Sequence, residues 1–291
     1  MTPEQVRQEV RDGVVIAVSN LTATDNGQSV PVRLYRPAHP LPAPVLMYFH
    51  GGGWVAGDLD THDSFCRVMC EWAGCAVVAV DYARPPEQRF PRAVEDCHTA
   101  TRWVARHGTQ LGLDARRIAV AGGGSGGGLA AVICQIARDQ QGPAIGFQLL
   151  LYPVLDCLAR TRSREQFAEG FGLTTERLDW YLNQYVPPGT ALAHPWLSPA
   201  RGTCFQGLPA ALIITAGCDL LRDEGRAFAR RLKKAGVPVR YKEYAGRRHG
   251  FLNYPAADPL ARRAILLSAE ALAAHFSQAA PLHKCKNDLH D

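Results

Sequence analysis

Short apolar runs recur along this chain, and stretches with helical spacing separate them. Residues 45–49, 76–80, 117–121, 147–152, 211–215 and 239–244 are predicted as strands. Helices are predicted over residues 64–73, 93–106, 224–235 and 261–276, and from the glycine run at 122–128 through Ala137. Strands without polar alternation, alternating with helices, imply a mostly parallel sheet covered on both faces, hence an α/β fold. Pro37, Pro40, Pro42 and Pro44, then Pro85, Pro86 and Pro91, mark loops between these units.

Two segments depart from the alternation. Residues 14–19 and 30–35 read as an antiparallel pair at one sheet edge, with Asn26-Gly27 as a hairpin signal between them. Their connection is longer than a two-residue turn, which leaves the register open. Residues 155–203 carry Thr174-Thr175-Glu176-Arg177 and then the apolar-periodic Leu178, Trp180, Tyr181 and Tyr185. They are predicted as an inserted helical lid, joined by a polar N-terminal helix over residues 1–12. The whole chain, 1–291, is expected to form a single domain, with a polar tail after Ala279.

Composition narrows the function classes. The formal charge is +5 over 291 residues, and the Lys and Arg residues are scattered. Nucleic-acid binding would want a basic stripe or patch, so no nucleic-acid partner is expected. Arg230-Arg231 with Lys233-Lys234 reads as a solvated helix face. The nine cysteines mostly lie in apolar stretches, and Cys66 and Cys70 lack a second pair to complete a metal site. Buried free thiols, an acidic polar start at Met1-Thr2-Pro3-Glu4 and no membrane-length apolar run are read as a cytoplasmic protein. Neither a metal nor a cofactor is expected, and a homodimer stays open.

The candidate chemistry sits at predicted strand ends. His50-Gly51-Gly52-Gly53-Trp54 follows the 45–49 strand, and consecutive glycines there present main-chain N–H groups able to bind a developing oxyanion. Gly123-x-Ser125-x-Gly127 lies between a strand and a helix and fits the nucleophile-elbow pattern. Asp219 and His249 each follow a later strand. The order Ser125, Asp219, His249 suits a catalytic triad in which histidine takes the serine proton and the carboxylate orients the ring. Asp223 and Glu224 are expected to serve the first turn of the next helix. Trp54, Phe90, Trp180 and Tyr181 are candidates for the pocket wall or the core.

On these motifs the chain resembles the hormone-sensitive-lipase-like group of α/β-hydrolases, often described as carboxylesterases. The resemblance covers roughly residues 30 to 275. It rests on residues 50–54 and 57–62, Asp81-Tyr82, Pro86-Glu87, Phe90-Pro91, Asp219 through Gly225, and His249-Gly250-Phe251. It implies a serine carboxylesterase acting on small to medium acyl esters through an acyl-enzyme. It further implies oxyanion donation from Gly52, Gly53 and Gly126, with Gly51 shaping the loop, and acyl and alcohol pockets beneath the lid.

The elbow departs from the family form, Gly-Asp-Ser-Ala-Gly-Gly. Aligned without gaps, the family serine falls on Gly124, and Ser125 falls on the alanine after it. Either the turn shifts by one residue and Ser125 is the nucleophile, which is the expectation taken here, or the position is filled by glycine and the protein is inactive or altered. The second case suggests a catalytically impaired small-molecule binder of the same fold. Ala83-Arg84-Pro85 also differs from the family's Arg-Leu-Ala. A third reading takes Gly122-x-Gly124-x-x-Gly127 as a dinucleotide fingerprint. That pattern wants an acid at the end of the next strand, and Asp139 falls instead in the turn before it.

Overall fold

The computed structural model describes residues 7–11, 14–38 and 42–278. Nine strands form one sheet in the order β1-β2-β3-β5-β4-β6-β7-β8-β9. The strands are β1 (Arg7–Arg11), β2 (Val14–Asp25), β3 (Gln28–Arg36), β4 (Ala43–Phe49), β5 (Ala76–Val80), β6 (Leu113–Gly123), β7 (Ile145–Leu151), β8 (Ala210–Cys218) and β9 (Val239–Arg248). From β5 to β9 every neighbouring pair is parallel, and β1, β2 and β3 extend that sheet antiparallel. The helices are α1 (Asp63–Ala73), α2 (Arg92–His107), α3 (Ser125–Asp139), α4 (Arg162–Gln166), α5 (Thr175–Tyr185), α6 (Arg222–Lys234) and α7 (Pro259–Gln278).

Two expectations at the sheet edge are corrected. Residues 7–11 form a strand paired with residues 14–18, not a helix, because their backbone groups complete the open edge of β2. The rest of the expected N-terminal helix, and the tail from 279, lie outside the described residues. The hairpin is also longer than expected. Asp25 pairs with Gln28, and Asn26 (φ 51°) and Gly27 (φ 78°) form a two-residue turn with both central residues left-handed.

The parallel strands are apolar throughout because both faces are covered. On one face Val45, Met47 and Phe49 of β4 pack with α2, α3 and α6. On the other, Leu46 and Tyr48 pack with α1 and α7. Cys66, Cys70, Cys75, Cys97, Cys134 and Cys157 are buried free thiols, Cys204 is exposed, Cys218 is half-buried, and Cys285 lies outside the described residues. No helix among the described residues is long and apolar enough to cross a membrane.

The segment between β7 and β8 carries α4 and α5 and lies over the carboxyl ends of the strands. Thr174 starts α5 by accepting the Arg177 N–H at 3.1 Å, which satisfies one of the free donors of the first turn. Two acids, the buried Glu224 and the partly buried Asp223, fasten this segment to the sheet domain. Glu224 accepts the Leu155 N–H at 2.7 Å and pairs with Arg164 at 2.8 Å. Asp223 accepts the Ser163 N–H at 2.9 Å. Both acids do stand in the first turn of α6, as expected, but their carboxylates also tie down the insertion.

Candidate active site

Asp219 and His249 meet as expected. Asp219 follows β8, is 2% exposed, and accepts the Leu221 N–H through Oδ1 at 3.0 Å. Its Oδ2 lies 2.7 Å from Nδ1 of His249, which follows β9. A buried carboxylate at that distance accepts a hydrogen bond from Nδ1–H, which keeps the proton on Nδ1 and leaves Nε2 with a free lone pair, the tautomer a general base needs. The Tyr152 ring meets the imidazole edge-on at 4.9 Å and fixes its plane.

The residue facing Nε2 is Gly124, and Ser125 is not. Gly124 caps α3 with φ 56° and ψ −116°, a left-handed strand-to-helix turn. A Cβ built there would lie 3.1 Å from Nε2 of His249. The glycines that sterics demand flank the same residue. A Cβ on Gly122 would overlap the Gly126 carbonyl, and one on Gly126 would overlap the Phe49 carbonyl oxygen. The elbow is therefore Gly122-x-Gly124-x-Gly126, and the expected Gly123-x-Ser125-x-Gly127 register is corrected. Ser125 is the first residue of α3, about 100° further round the helix. Its hydroxyl is 2% exposed and accepts the Trp54 N–H at 3.2 Å.

The predicted donor loop folds as a cradle beside this elbow. Gly52 (φ 120°) and Gly53 (φ 63°) use backbone angles open to glycine, and the Gly52 carbonyl closes the turn by accepting the Ala56 N–H at 2.9 Å. Gly51 packs against the Gly123 carbonyl. His50 orders the loop, with Nδ1 2.8 Å from the Gly51 carbonyl. Burial pushes its imidazole down to about 3, so it stays neutral. Tyr82 stacks on it at 4.1 Å and donates to its carbonyl at 2.8 Å.

Arg84 was noticed in the sequence only as a departure from the family pattern. Its guanidinium lies 3.2 Å from His50 Nε2 and is held by Asp81 at 2.7 Å. It donates to that nitrogen and so fixes the proton on Nδ1, facing Gly51.

A cavity of about 470 Å³ joins these parts, with Gly52, Gly53, Gly124 and His249 on its floor and Leu178 and Tyr181 of α5 above. Of the other aromatic candidates, Trp54 stacks on Tyr185 at 4.9 Å, Phe90 packs against Tyr185, and Trp180 is half exposed on the outer face of α5. A larger surface cleft, about 580 Å³, lies by Asp156, Arg160 and Arg231, and neither His249 nor the glycine cradle lines it. Asp139, the acid considered for a dinucleotide site, pairs with Arg138 at the end of α3, far from the end of β7 that such a site requires.

Comparison with known proteins agrees with this fold. The family described as the alpha/beta hydrolase fold matches residues 46–253. Carboxylic ester hydrolase LipN of Mycobacterium tuberculosis is 42% identical over 244 residues, 82% of this chain and 65% of LipN, so this chain spans just under two thirds of that relative. An ethyl acetate hydrolase of Pseudomonas putida is 37% identical over 89% of this chain and 83% of its own length. Among solved structures, a thermostable esterase from Pseudomonas putida superposes with a TM-score of 0.86 at 40% identity, covering 92% of this chain and 86% of that one. With a parallel sheet, a histidine–aspartate pair at its carboxyl edge and a match spanning most of the sheet domain, the chain belongs to the α/β-hydrolase family and to its carboxylesterase-like branch.

Proposed function

We propose that this chain is a carboxylic ester hydrolase for small to medium acyl esters, working in the cytoplasm. His249 serves as general base and acid, Asp219 orients it, and the main-chain N–H groups of Gly52, Gly53 and Ser125 receive the oxyanion. With the elbow at Gly124, the donor that follows it is the Ser125 amide in place of Gly126, and Gly51 shapes the loop. The segment carrying α4 and α5 acts as a lid whose cavity holds the acyl and alcohol groups. The observation that carries this reading is His249 Nε2, held by a buried carboxylate and aimed at the elbow beneath the glycine cradle.

Turnover of p-nitrophenyl acetate and butyrate tests it. His249→Asn should lower kcat by about a hundredfold or more, the share general base catalysis supplies. Turnover indifferent to that substitution would overturn the assignment. The glycine at the elbow favours a second reading, a binder of small apolar esters without turnover. Saturable binding by calorimetry in the absence of hydrolysis would support that one.

A further inference from the structure

We propose that this protein hydrolyses esters by direct attack of a water molecule seated at the Gly124 position, with His249 as general base and no acyl-enzyme. The inference rests on the hydrolase reading above and names its nucleophile.

The elbow residue has no side chain, so the chain offers no atom there to form an ester bond. The point where its Cβ would stand is 3.1 Å from His249 Nε2. A water oxygen just beyond that point, clear of the Gly124 Cα, stays within hydrogen-bond reach of the ring and donates to it. The same point opens into the cavity floored by Gly52 and Gly53. A water there has its base on one side and an ester carbonyl in the cradle on the other.

Other nucleophiles are poorly placed. Ser125 also lines this cavity, but its hydroxyl accepts the Trp54 N–H, and the residue facing His249 Nε2 is Gly124. Tyr152 touches the imidazole, but burial drives its phenol far above the ordinary range, so it stays protonated. No cysteine, lysine or carboxylate is among the described residues lining this cavity.

The step balances without a further reactant. Nε2 takes one water proton while the water oxygen bonds to the carbonyl carbon, and the carbonyl electron pair moves onto its oxygen. The cradle amides hold that charge. Collapse re-forms the carbonyl and breaks the bond to the alcohol oxygen, which leaves with the proton from Nε2. Acid and alcohol are released, and the chain is unchanged.

The test uses the full-length protein with p-nitrophenyl acetate. The expected result is His249-dependent turnover with no burst, no acetyl adduct on intact mass after acid quench, and no labelling by a fluorophosphonate. Gly124→Ala should lower turnover by at least about tenfold, because its methyl takes the place of the water next to the base. If that variant fails to fold, the adduct measurement on the unaltered chain still decides. Turnover with an acyl or phosphonyl adduct on Ser125 would overturn the inference and leave the hydrolase reading standing. Absence of any His249-dependent turnover in folded protein would overturn both.

Discussion

Gly124→Ser should turn this protein into a covalent esterase, raising kcat/KM for p-nitrophenyl butyrate by about a thousandfold or more. Everything else a serine hydrolase uses is in place around that residue. The turn already has the elbow angles, φ 56° and ψ −116°. His249 Nε2 already faces the Cβ position, and its tautomer is fixed by Asp219 at 2.7 Å. A new hydroxyl would need the ring to yield by a few tenths of an ångström, since 3.1 Å from Cβ is tight. A non-glycine residue at this left-handed turn costs about 1–3 kcal/mol, so a lower unfolding midpoint should accompany the gain. The readouts are a burst of p-nitrophenol and stoichiometric fluorophosphonate labelling. A folded variant that neither labels nor turns over faster would show that the cradle does not receive an ester carbonyl.

The second large effect is on stability. Glu224→Ala should destabilise the fold by about 3–5 kcal/mol, measured by urea unfolding, because it strands Arg164 and the Leu155 N–H with no acceptor. The segment carrying α4 and α5 would lose two of its ties to α6. Glu224→Gln keeps an acceptor for one of the two donors and should cost less. The carboxyl also makes stability depend on pH. Burial, opposed by Arg164, pushes it up to about 7. A folded-state value above the unfolded one means that the stabilising contribution is complete below the ordinary carboxylate range and is lost as pH rises through about 7. The unfolding midpoint should therefore fall between about pH 4.5 and about pH 7 and level off above it, and Glu224→Gln should flatten that fall. An unchanged slope in the variant would assign the pH dependence elsewhere.

Much of the architecture was legible because burial writes itself into local sequence. Residues 76–80 are apolar at every position, and they form β5 with every residue buried. Residues 7–11, RQEVR, carry a single valine and no period. Their strand state comes from backbone groups on β2, which no local pattern records. The meeting of Asp219 and His249 was legible from chain order, since both follow strands. The elbow was not. Six glycines and one serine over residues 122–128 fit the motif in two registers. The left-handed φ of Gly124, its approach to His249 Nε2 and the crowding of Gly122 and Gly126 against neighbouring carbonyls select between them. The role of Arg84 was not legible because its partner, His50 Nε2, is distant in sequence and adjacent only in space.

Tyr181 lies flush on Gly53, where even a methyl group would collide with its ring. The roof of the chamber is thus also the backstop of its glycine wall. If an ester enters by lifting α5, the Gly53 peptide plane should lose that support and regain it once the helix reseats over the acyl chain. Amide exchange at Gly53 should slow when a short ester is bound and stay fast with an oversized one. Admission and readiness are successive states here, and a guest too bulky to let the helix settle would be lodged without being gripped.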